Sequence, residues 1–184
     1  MYRTANVLGT IIREVREHKG MTQEVLGQVS FLSDSTISAI ETGRRALTQE
    51  NLEIICKILD DPRLYFEVAS KITDNVFNFY WLDGEAADLH RASVKEKIIE
   101  ELDEAIKAIA LTKTYKNPTT CNDDDIKNIT KSIQETIDVF NASAIYIAVM
   151  CREFNLDIKE LFNAQKKKLI NRGYLREEKE IDFK

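Results

Sequence analysis

A chain of 184 residues holds one large domain or two small ones and can bury a sizeable core. Its composition, 43% hydrophobic and 31% charged, is that of an ordinary globular protein. The net charge of −5 excludes a broadly basic coat for nucleic acid, although a local basic patch is compatible with it. Only 6 Gly and 2 Pro are present, too few for the tight turns of an all-β sandwich, so the chain reads as mostly helical. Three cysteines (Cys56, Cys121, Cys151) form no CxxC pair, which points to reduced thiols and away from structural zinc. Two histidines leave little scope for a His-based metal site or triad. Met1 to Thr4 lack the apolar run of a secretory signal. The longest apolar stretch, Val139 to Cys151, is broken by Asn141 and Ser143 and is too short to span a bilayer. The expectation is a cytoplasmic chain with no membrane partner.

Leu8, Ile11, Ile12 and Val15 give a first amphipathic helix, stopped near Gly20. Thr22 is placed to cap a short helix carrying Val25, Leu26 and Val29. Ser33 is placed to cap a third, with Ile37 and Ile40 inside, and Thr48 a fourth, with Leu52, Ile55 and Leu59. Pro62 closes this set, so the boundary falls at 62–66, dividing the chain into 1–63 and 64–184.

The second half has longer periodic runs. Tyr65, Val68, Ile72, Val76 and Phe79 predict a helix reaching about Trp81, followed by a loop over Gly84 to Asp88. Ser93 and Glu96 read as a capping box before Ile98, Leu102, Ala105, Ile106 and Ile109. The stretch 113–125 reads as a loop whose three aspartates suit a helix N-terminus. It lacks the glycine and distal glutamate of a calcium loop. A long helix follows, with Ile126, Ile129, Ile133, Ile137, Phe140, Ala144 and Ile147 on one stripe. A last helix starts near Asp157, with Ile158, Leu161, Phe162 and Leu169 inside, and ends at Gly173. The charged tail 174–184 frays.

Major-groove reading needs a slim helix whose leading residues carry hydrogen-bonding groups, set against a supporting helix by a tight turn. Thr22 to Gly27 followed by Ser33 to Glu41 fits, with Ser33, Asp34, Ser35 and Ser38 outward. The run resembles the XRE family, the phage-repressor type of helix-turn-helix, over residues 7–61. The matching residues are Leu8, Ile12, Arg13, Arg16, Lys19 to Glu24, Leu26, Ser33 to Ser38, Ile40, Glu41, Gly43 to Arg45 and Leu52. The resemblance implies a five-helix domain that binds double-stranded DNA. Ser33, Asp34, Ser35, Thr36 and Ser38 would lie toward bases, and Gln23, Arg44 and Arg45 toward the backbone. Phe31 stands where the family has a turn glycine, which puts the shape of that turn in question. Residues 1–70 hold eight Lys and Arg against ten Asp and Glu, so one copy alone binds phosphate weakly and depends on dimerisation. The competing reading is a protein-interaction module with exposed serines.

Two acidic pairs, Glu101/Glu104 and Glu135/Asp138, each sit three residues apart and so share a helix face. Two antiparallel helices with such pairs aim four carboxylates at one point, an oxygen donor set suited to Mg²⁺ or Mn²⁺. Ala142, Ile145 and Val149 continue the Glu135/Asp138 face with apolar residues, which turns the acids inward. Solvated surface charge is the alternative. These patterns resemble the MazG-like all-α nucleotide pyrophosphohydrolases over residues 66–175. In the resemblance, Glu101, Glu104, Glu135 and Asp138 are metal ligands, and Glu100 is a ligand or a catalytic base. Lys168, Asn171 and Arg172 contact a nucleoside triphosphate. It implies Mg²⁺-dependent hydrolysis of (d)NTP to (d)NMP and pyrophosphate. Gln134 replaces an acid often found before the second pair, which weakens a second metal. Phe79, Tyr80 and Trp81 are core residues or a base-stacking platform.

The expectation is therefore an all-α chain, a repressor-type helix-turn-helix followed by a MazG-like bundle, of phage or mobile-element type. It forms a homodimer or higher oligomer through the bundle. The bundle hydrolyses nucleotide, or it serves only for dimerisation or ligand sensing.

Overall fold

The computed structural model describes residues 7–73, 80–81 and 88–176. Among them are eight α-helices, a single 3₁₀ turn (Pro118–Thr120) and no strand, an all-α fold. The helices are α1 (Val7–His18), α2 (Gln23–Ser30), α3 (Asp34–Glu41), α4 (Gln49–Leu59), α5 (Pro62–Ile72), α6 (Arg91–Ala110), α7 (Asp123–Glu153) and α8 (Ile158–Asn171).

The starts of the short helices follow from single side chains. The hydroxyls of Thr22, Ser33 and Thr48 accept from the amides of Val25, Thr36 and Asn51. Each satisfies one amide that has no partner inside its helix. Leu8, Ile11, Ile12, Val15, Leu26, Ile37, Ile40, Leu52, Ile55 and Leu59 then bury together as one core. Pro62 opens α5 rather than only closing α4: it takes the first helical position behind Asp61, whose carboxylate accepts from the amides of Arg63 and Leu64. Leu64 is fully buried in the first core, and Tyr65 and Val68 pack against it. The first core thus continues past residue 63, while α5 also packs against α7.

α6 and α7 form an antiparallel pair, the first residue of α6 joined to the last of α7 by Arg91 and Glu153 at 3.2 Å. Their buried residues are mostly small: Ala105, Ala108, Ala142, Ala144 and Ala148. A compact cluster of Val94, Ile145 and Val149, with Trp81, Leu89 and Tyr146 against it, closes the end near α5. α7 starts with a reciprocal cap: Asn122 accepts from the Asp125 amide and Asp125 from the Asn122 amide.

Four sequence expectations change. The helix expected to reach Trp81 ends at Ile72, capped by Thr73, whose hydroxyl donates back to the carbonyls of Ala69 and Ser70. Trp81 is not helical and lies under Arg63, 4.7 Å from ring centroid to guanidinium carbon. Val76, Phe79, the loop residues 84–87 and the tail beyond 176 lie outside the described residues. α6 is capped by His90, whose Nδ1 accepts from the Ala92 amide, not by Ser93. Ser93 lies inside the helix, where its hydroxyl donates to Asp88 at 2.6 Å. The apolar runs Leu102, Ile106, Ile109 and Ile126, Ile133, Ile137, Phe140 face outward. α6 and α7 meet through their small residues instead, one position away round each helix. On α8, Ile158 is buried but Leu161 and Phe162 are exposed, because the helix meets the rest of the chain chiefly at its first turn.

Candidate functional site

The turn between α2 and α3 is held by close backbone packing. The Leu32 amide donates to the Gly27 carbonyl at 2.8 Å. A Cβ on Gly27 would stand 2.6 Å from the Leu32 carbonyl oxygen, so only glycine fits. Phe31 takes a left-handed conformation (φ 58°), the one a glycine adopts freely, and is 92% exposed. The turn therefore retains its shape, at the cost of strain in a bulky residue.

That turn presents the start of α3. Asp34 and Ser35 are exposed, and Ser38 is half-buried beside the buried Ile37. Ser33 bonds the hydroxyls of Ser35 and Thr36 at 2.9 Å each. Arg45 donates to Thr36 at 3.2 Å, and Arg44 to Thr42 at 3.0 Å. Both arginines are exposed and bond hydroxyls, so their charge stays available to an anion.

Behind this surface lies a charged pair that the sequence does not disclose as a pair. Arg16 on α1 and Glu41 on α3 are both buried and meet through two hydrogen bonds of 2.6 and 3.0 Å. Glu41, more than any other group, raises the Arg16 pKa above its ordinary value. Gln23 donates to the same carboxylate at 2.7 Å, and Arg16 also donates to the Met21 carbonyl. This network fixes α1, the start of α2 and the end of α3 to one another.

A five-helix unit with this turn and an outward polar helix defines the helix-turn-helix class of DNA-binding modules. Residues 12–63 match the Helix-turn-helix family. No curated protein and no solved structure matches the chain.

The second candidate site lies midway along α6 and α7. One carboxylate oxygen from each of Glu101, Glu135 and Asp138 comes within 4.8 Å of the others. Glu101 is 8% exposed, Glu135 half-buried and Asp138 exposed. Glu104, one turn further along α6, is exposed and is not part of this group. Glu100 is also exposed and pairs with Lys97 at 2.9 Å. Lys97 pairs with Glu101 at 2.7 Å, and these two contacts raise the Lys97 pKa, Glu101 contributing most. Lys97 does not figure in the sequence reading, although its spacing of four from Glu101 is a readable signal. Lys168, Asn171 and Arg172 lie exposed near the end of α8. Among the described residues, the cation paired with Glu101 is Lys97, and no ion pair joins Lys168 or Arg172 to these acids.

Among the described residues, no helix is long and apolar enough to cross a membrane.

Proposed function

We propose that the chain is a regulator that reads a two-fold-related site in double-stranded DNA through α3. The observation that supports it is the exposed polar start of α3 flanked by Arg44 and Arg45, set rigidly by the Arg16–Glu41–Gln23 network. Asp34, Ser35 and Ser38 supply donors and acceptors of the kind that base edges meet. Ser33 and Thr36 order that surface, and Arg44 and Arg45 reach backbone phosphates. Gln23 offers its amide to a phosphate while Glu41 orients it. Two copies are needed, one per half-site, because the acidic excess of residues 1–70 keeps phosphate affinity low for one. Selection from fragmented genomic DNA with the full chain tests this. Recovery of a sequence with inverted repeats is expected, and recovery of nothing above non-specific background at moderate salt would overturn it.

A second reading concerns the bundle. Three carboxylates within 4.8 Å are a hard oxygen donor set and fit Mg²⁺ or Mn²⁺. Glu101, Glu135 and Asp138 would hold the ion, with Glu104 one turn away as a further ligand. Glu100 points off this group and would act only as a base. A bound divalent ion supplies charge for triphosphate oxygens and an activated water. Lys168, Asn171 and Arg172 would meet the nucleotide only if α8 approached the acids more closely. The proposed role is binding of nucleoside triphosphate with hydrolysis to the monophosphate. The alternative is a bundle kept for ligand sensing or dimerisation. Metal-dependent thermal stability, lost in Glu135→Gln/Asp138→Asn, tests the site. Pyrophosphate release from each (d)NTP tests the chemistry.

A further inference from the structure

Phe31 combines a strained backbone with an exposed ring, and the fold makes use of neither. Among the described residues, three other than glycine take a positive φ: Phe31, Asp60 and Asn155. Asp and Asn tolerate the left-handed region because their short polar side chains bond locally, whereas a bulky aromatic residue there is strained. The ring gains no contact in exchange, for Phe31 is 92% exposed, the most of any large apolar residue described. Its neighbours keep it from turning inward. Ser30 is buried, its hydroxyl bonded to the Leu26 carbonyl at 2.6 Å, and Leu32 packs against the first core. The amides of Phe31 and Leu32 donate to the carbonyls of Gln28 and Gly27. The turn itself thus holds the ring outward, at a position where glycine would fit without strain. Strain of this kind clusters at ligand contacts.

We propose that Phe31 is a specificity-determining residue whose ring meets the 5-methyl group of a thymine at the edge of each half-site, a role that rests on α3 entering the major groove. Phe31 lies two residues before Ser33, the cap of α3, so their Cα atoms are at most about 7 Å apart. Ser33, Asp34 and Ser35 are all exposed and polar, and a helix that leads with them into the groove brings the preceding turn to the groove edge. Base edges in the major groove carry hydrogen-bonding groups and a single apolar group, the thymine methyl. A ring without a polar atom has that methyl as its base-edge partner, while the hydroxyls and the Asp34 carboxylate are left to the polar edges. The backbone that carries the ring is already fixed in the free protein, so little freedom is lost on contact. The duplex is the partner already placed at this end of α3, and the ring needs no second macromolecule.

Selection of duplexes from a random-sequence pool, run in parallel with the full chain and with Phe31→Gly, tests this. Glycine takes φ 58° freely, so the variant keeps the turn, and circular dichroism checks that its helix content is retained. Phe31→Asn, also at ease in the left-handed region, serves as a second variant. The wild type should select a thymine at a fixed position flanking the bases read by α3, and the variants should accept any base there. Deoxyuridine in place of each thymine of one half-site in turn then removes only a methyl group. At one such position the wild type should bind roughly fourfold more weakly, the contribution of one buried methyl, and Phe31→Gly should bind both duplexes equally. A wild type indifferent to the loss of every thymine methyl would overturn the inference and leave the DNA reading of α3 standing. So would a folded Phe31→Gly that keeps the same thymine and the same affinity. A loss of affinity in Phe31→Gly that is equal for thymine and deoxyuridine would overturn it too, by placing the ring on the sugar–phosphate backbone. A wild type that selects no sequence at all would overturn both the DNA reading and this role of Phe31.

Discussion

Arg152, in the last turn of α7, places Nη2 3.3 Å from each carboxylate oxygen of Asp61. That same carboxylate caps α5 through the amides of Arg63 and Leu64. One buried side chain thus starts the helix that completes the first core and ties it to the second half. Nearby, Lys159 at the start of α8 pairs with Asp60 at 2.8 Å, and Tyr65 bonds Asp60 as well.

Two consequences follow for unfolding. Asp61→Ala should lose about 2 kcal/mol, from a lost cap of about 1 kcal/mol and an unpaired arginine. Because α5 packs on both α1 and α7, the two halves should melt together. Trp81, the single tryptophan, sits at the α6–α7 end and reports on that half by fluorescence, while circular dichroism reports on all helices. Coincident urea transitions are expected. Two separated transitions would show that α5 does not couple the halves.

Glu41→Ala should cost about 3–5 kcal/mol, since it strands a buried guanidinium and frees Gln23. Replacing both members, Arg16→Met with Glu41→Leu, should cost much less, because no charge is then left unpartnered. Chemical denaturation of the two variants side by side measures the difference. Equal losses would mean that the pair, not the orphaned charge, sets the stability.

Phe31→Gly should stabilise the fold by up to about 1 kcal/mol, because glycine adopts φ 58° without strain and the ring it removes is exposed. Gly27→Ala should destabilise it, since its Cβ meets backbone and not a movable side chain. Melting temperatures of opposite sign relative to wild type are the expected outcome.

The pH dependence has a definite sign. The Lys116 ammonium, with help from the Asn122 amide and Lys113, holds the Asp125 carboxyl below its usual range. Lys159 and Tyr65 do the same for Asp60. A depressed carboxyl contributes stability that is complete above its unfolded pKa, about 3.9, and is lost as pH falls through the folded value. Both contributions are therefore flat from pH 7 to about 5, begin to fall near pH 4 and are gone only below the depressed folded value. Asp125→Asn should shift less than wild type over that acid range, in melting temperatures taken at a series of pH values.

What is readable in the sequence is local. Thr22, Ser33 and Thr48 each cap a helix by their own chemistry, and the residue spacing of the turn places Gly27 and Phe31. The i, i+3 spacing predicts four acids at one point, but Glu101, Glu135 and Asp138 alone come together, because on α6 Glu101 is buried while Glu104 turns to the exposed side. Arg16 and Glu41 stand 25 positions apart and are recognisable only singly; folding alone brings them together. The apolar runs of α6, α7 and α8 show that each helix has an apolar side, but periodicity does not say what covers it. Here small residues make the contact and the isoleucines remain outside.

Whether α3 is a reader of DNA is decided by the salt dependence of binding. On a site selected from genomic DNA, the affinity of the full chain and of Arg44→Ala/Arg45→Ala would be measured by fluorescence anisotropy over a range of salt concentrations. If α3 reads the groove while these arginines hold the backbone, the variant binds every sequence more weakly. Its log–log salt slope is then shallower by about one for each phosphate no longer neutralised. Identical affinities and slopes for the two proteins would contradict DNA reading through α3.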